Sequence, residues 1–250
     1  MISEALRRNR ANGYDIGFFH SAQIIPTPFL TTRSANRLIN TNKLIDVRYA
    51  SLPRGMTRKD FAKKYELPKK DRFEIKGHIR RMEEKDIKEV LRLYKIQCEK
   101  HVVHLMFTED HVRHLMMPRE DIVMTYVVED VESKGKLTDF MSLTYFHQQP
   151  LTQAELNHGY DMQTDATMYY YSFTNNKYID MIKQALWLAK DDMKVDAMCC
   201  YEIMDHDTEM LTNELKFMPD STPFFWYMLN YSFGEKEVKP SDMGAIFPWG

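Results

Sequence analysis

Apolar positions along this chain fall into two rhythms, one of helical spacing and one of strands, and their alternation predicts a mixed α/β order. Ile2, Leu6 and Arg10 share a row of a helix over residues 2–12, stopped by Asn12-Gly13. Tyr14 to Ile25 is strand-like and ends at Pro26-Thr27-Pro28, and the polar stretch Thr31 to Asn42 reads as loop. From 42 to 68 come a short mixed run, a turn at Leu52-Pro53-Arg54-Gly55, and a helix that Thr57 and Asp60 open as a capping box and that stops at Leu67 before Pro68. Ile87, Val90, Leu91, Tyr94 and Cys98 form one face of an amphipathic helix, and Thr108 caps another that Pro118 closes. Asp121–Glu129 and Leu137–Phe146 then read as a hairpin, the first strand buried on both faces. After a polar loop over Gln148–Thr164 come a strand at Thr167–Phe173, a helix with Ile179, Ile182, Leu186 and Ala189 on one face, a strand at Val195–Tyr201, a helix at Thr208–Leu215 and a final aromatic strand at Phe224–Tyr231.

Composition narrows this to an ordinary globular α/β domain: 250 residues, 44% hydrophobic, 28% charged, formal net charge -2. Basic residues are scattered among acids, which gives a nucleic-acid role no support. Three cysteines, Cys98, Cys199 and Cys200, make neither a disulfide framework nor a zinc site of usual spacing, and a reducing, cytoplasmic setting is expected. No run approaches the roughly 20 apolar residues that span a bilayer, so no transmembrane segment is expected. The start has no apolar signal core, and Ile2 stands where a myristoylation signal has glycine.

Candidate chemistry is sparse. There is no G-x-S-x-G, P-loop or G-x-G-x-x-G, and no nucleophile with an evident base. His101, His104, His111 and His114 lack a carboxylate or cysteine at ligand spacing, so no metal site is expected. Cys98 lies on the apolar stripe of its helix and reads as a buried small hydrophobe.

The stretch Asn42–Pro68, NKLIDVRYASLPRGMTRKDFAKKYELP, resembles the middle of the N-myristoyltransferases, in which K-L-I-D-V, L-P-R-x-M-T and Y-x-L-P recur between two halves of the enzyme. The resemblance continues through Arg80 and Met82 with Lys85-Asp86, the V-V-E hairpin with Thr138-Asp139-Phe140, Tyr171-Ser172-Phe173 and Lys216-Phe217. It implies a GNAT-like acyltransferase fold, with a mixed, largely antiparallel sheet flanked by helices. Residues 1–41 would be a remnant of the amino-terminal half, 42–79 a connector, and 80–250 the carboxy-terminal GNAT-like peptide-binding domain. The chain would begin just after the loop that cradles the pyrophosphate of coenzyme A.

The activity implied is transfer of a myristoyl group from myristoyl-CoA, a co-substrate, to the N-terminal glycine amine of proteins; no bound cofactor is expected. Partners would be N-terminal glycine peptides or proteins and a separate acyl-CoA-binding half. The resemblance maps the peptide side onto His20 or, with a one-residue slip, Ser21, and onto Ser34, Asn36, Ser172, Asp220 and Ser221. The terminal carboxylate, here on Gly250, would be the base. From the residues alone, His20 also reads as a hydrogen-bonded structural histidine, Thr31–Asn42 as a solvated loop, and Asp220 as a turn former. The competing reading is a non-catalytic peptide-binding or scaffold remnant. A self-sufficient acetyl-CoA enzyme would need a pyrophosphate loop at a helix N-terminus, and none is present.

Overall fold

A computed structural model of the chain describes residues 2–133, 135–149 and 162–246. Its strands are β1 (Gly17–Ser21), β2 (Leu30–Thr32), β3 (Ser34–Leu38), β4 (His78–Arg81), β5 (Val123–Glu129), β6 (Leu137–Gln148), β7 (Gln163–Phe173), β8 (Ala197–Tyr201), β9 (Met218–Pro219) and β10 (Phe224–Leu229). Its helices are α1 (Ile2–Ala11), α2 (Thr41–Asp46), α3 (Arg58–Lys64), α4 (Ile87–Cys98), α5 (Glu109–Met116), α6 (Tyr178–Asp191) and α7 (Thr208–Leu215).

One sheet has seven strands in the order β4-β5-β6-β7-β8-β3-β9, and a smaller one runs β1-β10-β2. Every pairing in the larger sheet is antiparallel except β7 with β8, which run parallel over only Asp165–Thr167 and Ala197–Cys199. This is the mixed, largely antiparallel α/β architecture expected. Residues 17–38 pair with residues 197–229, so both sheets contain strands from the two ends of the chain.

Local chemistry explains where the elements begin. Thr57 caps α3, its Oγ1 accepting from Asp60 N at 3.2 Å and donating to Asp60 Oδ2 at 2.6 Å. Asp207 caps α7 by accepting from Glu209 N and Met210 N. Ahead of α4, Asp86 accepts from Glu83 N and from both terminal nitrogens of Arg80. β5 is buried along six of its seven residues, as its apolar run predicts.

Three expectations need correction. Thr31–Asn42 is not a loop: it contains most of β2 and all of β3, and it opens α2. Its strand signal is hidden because Arg37, only 1% exposed, lies in the core. Arg37 donates to the carbonyls of Leu38 (2.7 Å) and Glu66 (3.1 Å), and burial depresses its guanidinium to about 10. α3 ends at Lys64 and not at Leu67, because the backbone leaves helical geometry at Tyr65 (φ -100°, ψ 17°) and Glu66 N bonds Lys63 O, three residues back. The strand expected over Tyr14–Ile25 shrinks to Gly17–Ser21, because Ser21 Oγ accepts from Gln23 N and starts a turn.

Cross-strand partners share a face, so the registers sort the large sheet into two chemically different sides. Leu143, Met168, Ala166, Met198, Cys200 and Ala35 lie on one side, in the main apolar core. On this side Tyr171 meets Tyr178 of α6. The opposite side carries Thr144, Gln163, Asp165, Thr167, Cys199, Asn36 and Ser34.

Candidate functional site

This polar side is the candidate site. A sheet face destined only for a core would be apolar, since each buried polar group costs free energy unless it is hydrogen-bonded. Here Gln163, Asp165 and Thr167 occupy alternate positions of β7, and Ser34 and Asn36 alternate positions of β3, two strands away. At one end α2 and α3 roof the face through a small apolar cluster of Leu38, Leu44, Ala50, Phe61, Tyr65 and Ala197. At the other, Tyr94 of α4 meets Tyr170 of β7 edge to face, ring centroids 5.3 Å apart. Between these roofs runs a strip of hydroxyl, amide, thiol and carboxyl groups, the candidate trough.

Asp165 is its most unusual member. At 5% exposure it accepts hydrogen bonds from Gln148 Nε2 at 2.9 Å and Gln163 Nε2 at 2.9 and 3.1 Å. Burial pushes its carboxyl up to about 6 against the pull of the Gln163 amide, and Asp196 adds to the rise. Tyr49 stands close by: burial raises its phenol, and the neighbouring Asp165, Cys199 and Asp220 raise it further. Desolvation also pushes the Cys199 thiol up to about 12 against a hydrogen bond from Ser34, so this cysteine is no thiolate nucleophile.

Of the residues singled out in the sequence, the fold gathers Ser34, Asn36 and Asp220. Ser34 is buried and accepts at its carbonyl from Asp220 N at 2.7 Å; Asn36 is half-buried, opposite Cys199 on one side and Met218 on the other. Asp220 Oδ1 accepts from Thr222 N, so the aspartate also forms a turn, and Ser221 beside it is exposed.

His20 lies on the small sheet, 4.9 Å from the Trp226 ring and 6.0 Å from Phe224, whose ring meets Tyr201, the register partner of Ser34. It thus borders the Ser34 end of the trough through two aromatic rings, and burial lowers its pKa. Ser21 is occupied by its turn with Gln23.

Ser172 is on the polar side but farther along β7, opposite Phe140, fully buried and with its hydroxyl unpartnered. Gly250 lies outside the described residues, as does most of the expected loop over Gln148–Thr164.

Three of the four histidines that invited a metal reading serve the backbone, and the fourth, His114, is exposed. His111 Nδ1 accepts from Thr108 N to complete the α5 capping box, and the His104 and His101 rings bond the carbonyls of His101 and Ser241.

The last described residues run into the sheet. Val103 O accepts from Gly244 N at 2.7 Å, Met243 O accepts from Met204 N at 2.9 Å, and Tyr170 Oη bonds both the N–H and the C=O of Ile246. Met243, Ala245 and Ile246 are buried. The tail therefore reaches from the loop after β8 to β7, on the side where the two parallel strands stop pairing.

Asp165, Thr167, Tyr49 and Tyr170 belong to the candidate site and were missed by the sequence reading. The alternation Gln163, Asp165, Thr167 was a usable signal, a strand with one polar face. The part played by Tyr49 had none, since only the α2–α3 roof brings it there.

Comparison with known proteins gives a consistent result. The C-terminal domain family described as myristoyl-CoA:protein N-myristoyltransferase matches residues 46–246. Glycylpeptide N-tetradecanoyltransferase 1 of Arabidopsis thaliana is 31% identical over 246 residues, 98% of this chain and 54% of its own length. Glycylpeptide N-tetradecanoyltransferase 2 of Bos taurus is 30% identical over 233 residues, 92% of this chain and 44% of its own. The crystal structure of Saccharomyces cerevisiae N-myristoyltransferase with bound myristoyl-CoA matches with a TM-score of 0.85 at 23% identity, over 98% of this chain and 64% of that one, a likeness of fold. The chain spans about half the length of the relatives it matches.

Proposed function

The chain belongs to the N-myristoyltransferase family, and on that premise we propose that it serves transfer of a myristoyl group from myristoyl-CoA to the N-terminal glycine amine of proteins. Its part is to hold the acceptor peptide in the polar trough, with Ser34, Asn36 and Asp220 on the floor and His20 at the Ser34 end. An extended peptide keeps its own N–H and C=O groups solvated or paired, and a floor of amides and hydroxyls offers such pairing where an apolar face would not.

In the reaction the neutral α-amine attacks the thioester carbonyl carbon, the amide C–N bond forms, the C–S bond breaks, and coenzyme A leaves as its thiol. The amine must lose a proton; the carboxylate of Gly250 is the proposed acceptor and passes that proton to the departing sulfur, so that coenzyme A leaves as the thiol and the carboxylate is regenerated. The acyl-CoA would be presented by a second, complementary half, with residues 1–41 and the connector 42–79 leading into the peptide-binding domain 80–250, and the setting would be the cytoplasm. Among the described residues no helix is long and apolar enough to cross a membrane.

The observation that carries this reading is the tail tie: Ile246 is bonded to Tyr170, three residues along β7 from Thr167 in the trough floor. The test is incubation of the purified chain with myristoyl-CoA and a peptide beginning with glycine, read by peptide mass, beside a control peptide beginning with alanine. A tetradecanoyl mass increase on the glycine peptide alone is expected. Binding of the peptide without any mass increase would instead favour a recognition module without chemistry.

A further inference from the structure

We propose that Tyr170 is a positioning residue: its hydroxyl, set at fixed depth by an aromatic box, fixes Ile246 over the face that carries the acceptor trough. The proposal rests on the acyl-transfer reading for its purpose and on geometry alone for its substance.

Counted from Thr167 on the polar side and Met168 on the apolar one, strict alternation would turn Tyr170 to the apolar side. The register prevents this. Met141 pairs with Tyr171 and Leu143 with Met168, so Tyr169 and Tyr170 together oppose the single residue Ser142, a β-bulge. Such a bulge re-aims a side chain, and here it lets Tyr170 reach the polar side while Tyr171 stays on the apolar one. The two neighbouring hydroxyls then hold different segments: Tyr171 Oη accepts from Asp205 N at 3.0 Å, and Tyr170 Oη reaches the tail.

The Tyr170 ring is held by Tyr94 and Phe107, each 5.3 Å away and nearly perpendicular to it, while those two stack on each other at 4.4 Å. Tyr94 is pinned in turn by a bond from its hydroxyl to Leu105 O at 2.7 Å. The Tyr170 hydroxyl donates to Ile246 O at 2.9 Å and accepts from Ile246 N at 3.2 Å, the two bonds one strand residue would give another.

Upstream, the tail is already secured through Ser241, Met243 and Gly244 by His101, Met204 and Val103. The Tyr170 tie is therefore not needed to keep the tail on the protein. It sets the position of Ile246 itself, where a slip of one residue displaces extended chain by about 3.3 Å.

Tyr170→Phe in the full chain keeps the ring and deletes both bonds. Site-resolved hydrogen exchange is expected to show the Ile246 amide exchanging at least tenfold faster, with the Gly244 amide, bonded to Val103, unchanged. That contrast separates lost positioning from general destabilisation, which would accelerate both. In the acyl-transfer assay the variant is expected to lose about tenfold in kcat with the KM for the glycine peptide within twofold of the parent. An Ile246 amide that stays protected, or a freed tail with unaltered kcat, overturns the proposal. If the parent chain transfers nothing, the acyl-transfer reading falls, and the exchange contrast still decides whether Tyr170 fixes the tail.

Discussion

Gly244 lies so close to His101 that a methyl group on it would sit 2.7 Å from the imidazole Cδ2 and 2.8 Å from Cβ. The ring has little freedom to yield, since Nδ1 is bonded to Ser241 O and Nε2 to the Gln97 amide. Gly244→Ala is therefore expected to push the tail off this contact at a cost of about 1–3 kcal/mol, the usual range for overpacking. Urea denaturation would give the loss, and faster exchange of the Gly244 amide would locate it.

Asp165 predicts a pH dependence of known sign. Its folded-state pKa, about 6, is above its ordinary 3.8, so the folded state holds the proton more tightly, and this group favours folding most below pH 4. As pH rises through about 6 that advantage is lost. Asp165→Asn, which cannot ionise, is expected to gain on the parent by up to about 3 kcal/mol between pH 4 and pH 7. Urea midpoints of both proteins across that window test it, and parallel curves would refute it.

The Arg80–Asp86 pair predicts the opposite slope. Burial alone would raise Asp86, but the two hydrogen bonds from Arg80, at 2.6 and 2.9 Å, with that from Glu83 N, hold it below its ordinary value. Its contribution is present above about pH 4 and fades as pH falls through the lowered pKa. Arg80→Ala leaves a buried carboxylate without its cation and is expected to cost about 3–5 kcal/mol at pH 7, less at pH 3. Denaturation at the two pH values measures the difference.

Leu44, fully buried on α2, is a main apolar contact of the roof over the trough. Leu44→Ala is expected to cost about 2–5 kcal/mol, with the spread set by how far α2 and α3 collapse into the space. Calorimetric unfolding would measure it.

Asn36 tests the trough itself. It is half-buried and flanked by Cys199 and Met218 on the polar face. Asn36→Phe is expected to weaken binding of a glycine-initiated peptide at least tenfold, about 1.4 kcal/mol, with a small change in unfolding midpoint. Isothermal titration against the parent is the check, and unchanged affinity would remove Asn36 from the peptide site.

Most elements were legible in the residues because their causes are local. Thr57 with Asp60, Thr108, and the unbroken apolar run of β5 each carry their own signal, and so does the helical stripe of α4. The word-like blocks over 42–68 were also enough to indicate the family. The candidate site was legible only in part: Ser34, Asn36 and Asp220 were foreseen and are brought together. Ser172 lies on the same polar face but farther along β7, and His20 is separated from Ser34 by aromatic rings.

By itself, then, the sequence determined periodicity, caps and turns, which are set by neighbours three or four residues apart. The tertiary structure alone decided which polar residues share a face. Arg37 made a buried strand look like a loop, because its charge is compensated by Leu38 and Glu66 carbonyls, one of them 29 residues away. The extra residue in β7 that turns Tyr170 toward Ile246 is a property of its pairing with β6, and the partner it reaches lies 76 residues further along the chain. Such relationships depend on long-range register, which no local pattern encodes.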